Sequence, residues 1–245
     1  VPVRSPQIAW ISADDPPDSF PNIESAFTVP DGLLAAGGDL SEDRIVYAYR
    51  HGIFPWYSDG QPILWWSPEP RCVIFPDKLH ISRRLRRSLR LSDFEVRFNT
   101  TFDQVIEHCA KDRPGQDGTW INADMRTAYE RMHAGGWVHS VETWKNGHLV
   151  GGMYGLAIGK VFFGESMFSV ESNASKASML ALCALLIEHD FRLLDCQVES
   201  PHLLSLGAER LPRQRFASLL NEACDPPNRF DAWPDAPLDL SALLA

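Results

Sequence analysis

The spacing of apolar positions changes along the chain, and each change marks a different kind of structure. Up to residue 35, apolar residues are scattered among Pro and Asp, and DDPPDSFPNI (14–23) reads as irregular. LSEDRIVYAYRHG (40–52) has helical spacing, with Ser41 placed to cap its start and Gly52 to end it. Residues 53–71 hold three Trp and four Pro. The prolines exclude a long helix and the aromatics exclude disorder, which predicts an ordered, aromatic-rich surface or linker. Residues 82–90 read as a helix with Leu85 and Leu89 inward. Residues 100–111 and 122–136 read as two more, opened by Thr100 or Thr101 and by Asn122. From 137 the period becomes alternating, giving three strand-like runs with turns at Asn146-Gly147 and at Gly159. A strongly apolar helix over 173–190 and a buried strand over 191–198 follow. The tail beyond 221 is Pro-rich and acidic, a wrap or a loose end.

Helices, then antiparallel strands, then one helix and one strand make an α+β order, the layout of an N-acetyltransferase-like core. Such a core bound to coenzyme A carries a glycine-rich, basic loop at the helix after the third strand. Here that segment is SVESNASKAS, which has no such loop and carries Glu171.

Composition narrows the classes. In 245 residues, 44% are hydrophobic and 22% charged, as in soluble globular proteins. No apolar run reaches the roughly 18 residues of a membrane span, and VPVRSPQIAWIS has no signal-peptide pattern, so a cytoplasmic location is expected. The five cysteines show no C-x-x-C spacing, which favours reduced, packed thiols over a disulfide framework or zinc knuckle. A net charge of −9 confines any nucleic-acid binding to a local patch.

Three groups of residues could carry chemistry. In LLDCQVESPH (193–202), Asp195, Glu199 and His202 are metal-ligand types without a metal-site spacing, and Cys196 is a thiol beside an acid, the wrong neighbour for a thiolate. Strand alternation puts Asp195 and Gln197 on one face at a strand's end and Cys196 on the other. In the apolar run GGMYGLAIGKVFFGESMFS, Glu165 shares a face with Phe163 and Met167, either as a structural hydrogen bonder or as an acid in an apolar pocket. Arg83, Arg84, Arg86, Arg87 and Arg90 make a nearly single-signed helix, either a solvated face or a site for phosphates.

GLLAAGGDLS, HGIFPWYS, ILWWSPEPR, LHISRRLRR, GTWI, GGMYGLAIG, GESMFS, NASK, DCQV and SLGAE occur in that order. Together they closely resemble the bacterial leucyl/phenylalanyl-tRNA–protein transferases, over roughly residues 30–216. The resemblance implies a small N-terminal domain (1–72) and an acetyltransferase-like (GNAT-like) catalytic domain with a mixed sheet (73–245). It implies transfer of Leu or Phe, and also Met, from aminoacyl-tRNA to the N-terminal Arg or Lys of a protein, which marks that protein for N-end rule degradation. The family's catalytic acid and glutamine match Asp195 and Gln197, and its pocket glutamate matches Glu165. Its aminoacyl pocket matches Met153, Phe162 and Leu194, its 3′-adenosine contacts Trp56 and Trp120, and its basic cluster Arg83, Arg84, Arg86 and Arg87. Ser200 and Pro201 stand where some relatives carry Asn and an acid.

An aminoacyl ester is already activated, so neither ATP, metal nor other cofactor is expected. The attacking α-amine has an ordinary pKa near ~8 and must be neutral to react. Asp195, directly or through Gln197, is the candidate group for its proton, with the substrate's ribose hydroxyl as the alternative. Two other readings remain at this point: a coenzyme A-dependent N-acetyltransferase and a non-catalytic tRNA-binding module.

Overall fold

A computed structural model describes residues 7–111 and 119–244. A small sheet comes first. Strands β1 (Ala9–Ile11) and β2 (Leu33–Gly37) run parallel, helix α1 (Glu42–Arg50) follows, and β3 (Phe54–Pro55) and β4 (Leu64–Trp66) complete the order β1-β2-β4-β3. The aromatic stretch 53–71 is therefore part of a sheet rather than a linker. Trp65 is fully buried and donates its indole N–H to the Gly37 carbonyl at 2.9 Å. Ser41 makes no side-chain cap on α1. The neighbouring Asp39 carboxylate instead takes the Ser41 N–H at 2.7 Å. Gly52 leaves α1 at φ +76, a left-handed turn that glycine adopts without a Cβ penalty.

The rest of the chain builds an eight-stranded mixed sheet. In chain order its parts are β5 (Arg71–Ile74), α2 (Arg83–Arg90), β6 (Glu95–Phe98), α3 (Phe102–Ala110), α4 (Ala123–Ala134), β7 (Val138–Lys145), β8 (His148–Ile158) and β9 (Val161–Ser169). They continue as α5 (Ala174–Glu188), β10 (Leu193–Gln197), α6 (Pro201–Ser205), β11 (Glu209–Leu211), α7 (Arg213–Ala223), β12 (Leu238–Asp239) and α8 (Leu240–Leu243). The sheet order is β11-β5-β10-β9-β8-β7-β6-β12. Only the β9–β10 pairing in it is parallel, and the α5 crossover makes that pairing possible.

Helices cover both faces. Leu193, Val161, Phe163, Tyr154 and Leu156 point into a core shared with α3, α4 and α7. Leu194, Phe162, Met153 and Ala157 point into the opposite core, with α2, α5 and α8. The expected helices form, and Asn122 caps α4 by accepting the Met125 N–H at 3.0 Å. Neither Thr100 nor Thr101 caps α3 through its side chain. Buried Glu142 does so from β7, accepting the Thr100 and Thr101 N–H groups at 2.9 and 3.1 Å. Asn146 and Gly147, both at positive φ, close the β7–β8 hairpin as expected. The acidic tail is a wrap: Trp233 stacks on His139 at 4.2 Å, and β12 pairs with β6.

Two irregularities place the site. In the β8–β9 ladder, Tyr154 pairs with Ser166 and Gly155 with Gly164, so Glu165 is an extra residue on β9. In the β5–β10 ladder, Val73 pairs with Asp195 and Cys72 with Gln197, so Cys196 is extra on β10. These are β-bulges, which bend a strand and re-aim its side chains. They correct the simple alternation expected over 163–167 and 195–197: Phe163 and Met167 pack in opposite cores.

Candidate active site

The two bulges lie on adjacent strands, and their side chains meet. Asp195 is fully buried, and Arg71 of β5 grips it with Nε to Oδ1 at 2.8 Å and Nη2 to Oδ2 at 2.7 Å. The third arm of Arg71 reaches the Gly52 carbonyl at 3.0 Å, and its guanidinium lies over the rings of Phe54 and Phe216 at 4.8 and 4.7 Å. Asp195 Oδ1 also accepts the Gln197 N–H at 2.9 Å, which holds Gln197 in a left-handed conformation at φ 60. That is a costly conformation for a non-glycine residue, and here the ion pair beside it sustains it.

Gln197 donates its amide Nε2 to Glu165 Oε1 at 2.9 Å. Tyr49 of α1 donates to the same oxygen at 2.7 Å, and Tyr129 of α4 to Oε2 at 2.7 Å. The two phenol oxygens are 2.8 Å apart. Burial pushes the Glu165 carboxyl up to about 7, against the downward pull of both hydroxyls and the Gln197 amide; nearby Asp195 adds a smaller upward push. Burial and then the Glu165 charge hold both phenols well above the ordinary tyrosine range. The Tyr154 hydroxyl is buried close by, without a hydrogen-bond partner among the described residues.

Two cavities open onto this cluster. One, of about 300 Å³, is walled by Phe54, Trp56, Trp120, Gln197 and Val198. The other, of about 950 Å³, is walled by Met153, Leu194, Met179, Asn173, Lys176 and His202 among others. They share Lys111, Trp120, Glu165 and Cys196.

The expected site residues are thus largely brought together, with differences. Phe162 does not line either cavity; it is fully buried, its ring packed under Gly155 where a Cβ would come within 2.5 Å of it. Arg83, Arg84 and Arg87 are exposed. Arg86 and Arg90 instead donate to the Leu244 carbonyl, Arg86 at 3.0 Å. Ser88 of the same helix bonds Asn173 at the rim of the larger cavity, at 3.1 Å. The metal reading does not hold together, because Glu199 pairs with Arg210 and Asp195 with Arg71, while His202 stands apart on the cavity wall. Among the described residues no group of three such ligands converges. Cys196 Sγ donates to the Leu194 carbonyl at 3.9 Å, and the neighbouring Cys72 thiol and then burial hold it well above the usual thiol range, against a role as nucleophile. Gly118 of the GTWI motif lies outside the described residues.

Comparison with known proteins decides the family. The family profile described as leucyl/phenylalanyl-tRNA protein transferase matches residues 73–221, and the profile of its N-terminal domain matches 38–69. The chain is 52% identical to the leucyl/phenylalanyl-tRNA–protein transferase of Stutzerimonas stutzeri (strain A1501), over 91% of this chain and 98% of that one. It is 57% identical to the enzyme of that name from Xanthomonas euvesicatoria pv. vesicatoria (strain 85-10), over 88% and 85%.

This chain belongs to the leucyl/phenylalanyl-tRNA–protein transferase family.

A solved structure of a functionally unknown conserved protein from Staphylococcus epidermidis ATCC 12228 aligns with 74% of this chain and 68% of its own at a TM-score of 0.37 and 11% identity, a likeness that carries no argument. Within this transferase the structure adds three residues to those the motifs point to. Tyr49 reads only as part of an amphipathic helix, Tyr129 as part of another, and Arg71 as the end of a proline-rich stretch. A sequence signal exists for Arg71 alone: one cation opening the apolar run RCVIF (71–75) needs a buried anion.

Proposed function

We propose that the transfer runs where the two cavities meet, with Gln197 and Glu165 at the reacting atoms. As a member of its family, the chain is an aminoacyltransferase that passes Leu or Phe from aminoacyl-tRNA to the N-terminal Arg or Lys of proteins, the step that commits them to N-end rule degradation. The carrying observation is the shared wall of Trp120, Glu165 and Cys196, which lets two substrates approach one point from different sides.

The larger cavity takes the aminoacyl end. Met153, Leu194 and Met179 give it an apolar floor, and Phe162 backs that floor from inside the sheet. One methylene is worth only ~1–3 kcal/mol in such a pocket, so the choice among Leu, Phe and Met depends on shape. Trp56, 44% exposed, and Trp120 offer ring faces to the 3′ adenosine. Arg83, Arg84 and Arg87 supply phosphate contacts beside the rim, with Arg86 bracing the helix against the C-terminal residues.

Gln197 gives its N–H₂ to Glu165, which leaves its carbonyl oxygen to accept from the acceptor's α-amine and orient it. Asp195 has its oxygens engaged by Arg71 and the Gln197 N–H, so it acts through Gln197 as a positioning residue. Holding both substrates in place supplies much of the rate, ~7 kcal/mol or more.

The mixed sheet with its β9–α5–β10 crossover supports kinship with N-acetyltransferases, and the two profile matches support a division near residue 72. No helix among the described residues is long and apolar enough to cross a membrane. A cytoplasmic location is proposed from the tRNA substrate. The test is transfer of labelled Leu from Leu-tRNA to peptides beginning with Arg, Lys or Asp. Transfer to the first two, reduced at least tenfold by Gln197→Ala, is expected; an unimpaired Gln197→Ala protein would move the reaction elsewhere.

A further inference from the structure

Tyr49, Tyr129 and Glu165 present a problem of proton number. Three contacts join them: Tyr49 to Oε1 at 2.7 Å, Tyr129 to Oε2 at 2.7 Å, and phenol to phenol at 2.8 Å. Oxygens at such distances have a hydrogen between them. Each phenol brings one, and an ionised carboxylate brings none. Two hydrogens cannot fill three contacts, so with Glu165 ionised one oxygen pair is in close contact unbridged. One proton on Glu165 closes the ring. The carboxyl then donates to one phenol, that phenol to the other, and the second phenol back to the far carboxyl oxygen.

Glu165 also has room for one more donor. A carboxylate offers about four lone-pair sites. Tyr49 and Gln197 occupy Oε1 and Tyr129 occupies one side of Oε2, which among the described residues leaves one side of Oε2 open. The residue lines both cavities. The groups around it are Tyr49 from α1, Cys109 from α3, Tyr129 from α4, Tyr154 from β8 and Asp195 from β10, with Lys111 on the cavity wall. The nearest carboxylate, Asp195, is already neutralised by Arg71. Among the described residues, Glu165 has no such cation bonded to it.

We propose that Glu165 is the proton acceptor of the transfer, with Tyr49 and Tyr129 as positioning residues that hold its two carboxylate oxygens. This rests on placing the reaction at the junction of the cavities. The acceptor's α-ammonium donates to the open side of Oε2 and gives up one proton. The neutral nitrogen attacks the ester carbonyl carbon, a C–N bond forms, and the carbonyl electron pair moves to oxygen. As that pair returns, the ester C–O bond breaks, and the leaving ribose oxygen takes a second proton from the nitrogen. The products are an amide, a free tRNA hydroxyl and one proton on Glu165, which passes to solvent.

The test is single-turnover transfer from preformed complexes of the full chain, Leu-tRNA and an Arg-initiated peptide, followed from about pH 5 to about pH 9 with spontaneous ester hydrolysis subtracted. The wild-type rate should rise with pH and level off above the Glu165 titration. Glu165→Gln should lose that rise and about 10²-fold or more of the plateau rate. Tyr49→Phe and Tyr129→Phe each remove a donor to the ionised form, so the rise should move to higher pH. A rise that survives in Glu165→Gln belongs to the acceptor amine and overturns the proposal, as does a rise unmoved in both Phe variants. Those two variants decide the matter if Glu165→Gln fails to fold. Wild-type transfer by Gln197→Ala would instead refute the placement of the reaction.

Discussion

Asp195 and Glu165 are carboxylates at bulges on neighbouring strands, and they have opposite surroundings. Asp195 faces a guanidinium that matches it in charge and in fork geometry, sandwiched between two aromatic rings and sealed from water. Among the described residues, Glu165 faces three neutral donors and no bonded cation, at the edge of two cavities. The first arrangement is closed and suits holding a backbone in place. The second is one proton short and suits exchange with a substrate. Carboxylate chemistry is the same in both; what differs is the charge and hydrogen count of the partners.

The comparison is broken most severely at Arg71. Arg71→Ala leaves Asp195 buried without its cation, a loss on the order of 3–5 kcal/mol in urea-unfolding stability. A loss below about 1 kcal/mol would mean that water already reaches Asp195. The next largest effect is in pH dependence. Glu165 is raised in the folded protein from 4.5 to about 7. Its contribution to stability is therefore complete below about pH 4.5 and is lost as pH rises through 7, a change of about 3 kcal/mol. The stability of wild type minus that of Glu165→Gln should fall by that amount between pH 4.5 and 8. The subtraction matters because His139 works the other way. Burial lowers it from 6.5 to about 3, so its contribution is present above pH 6.5 and is lost as pH falls towards 3.

Smaller changes sharpen the contrast. Tyr49→Phe or Tyr129→Phe removes one donor from the ionised carboxylate and should cost about 1–2 kcal/mol at pH 8. Neither should disturb the Arg71–Asp195 pair. Smallest in stability is the basic helix: Arg83→Ala with Arg87→Ala should change folding by no more than about 0.5 kcal/mol. The same double change should reduce the slope of log affinity for tRNA against log salt by about 1 for each phosphate that is no longer neutralised. An unchanged slope would remove the helix from the tRNA interface.

Much of this was legible in the sequence, for identifiable reasons. Leu85 and Leu89 keep helical spacing, Asn146-Gly147 is a hairpin-turn dipeptide and α5 is one long apolar run, and each folds as its signal requires. Asp195, Gln197 and Glu165 stand out because polar side chains at the ends of apolar runs need partners. The partners themselves were not legible. Arg71, Tyr49 and Tyr129 lie 124, 116 and 36 residues from the carboxylates they bond, and no local pattern carries such a distance. The bulges hid the faces as well. Alternation puts Asp195 beside Gln197 and Glu165 beside Phe163, but one added residue in each strand turns the side chains that follow. Short strands such as β6 and β12 left no period long enough to read.

The central claim is that Glu165 exchanges a proton near neutral pH, while Asp195 is held in its ion pair with Arg71. Infrared difference spectroscopy tests it directly by following the C=O stretch of a protonated carboxylic acid through a pH titration. One such band should appear as pH falls through about 7 in wild type and be absent in Glu165→Gln. A wild-type protein with no protonated carboxyl until well below pH 5, or a band near 7 that persists in Glu165→Gln, would contradict it.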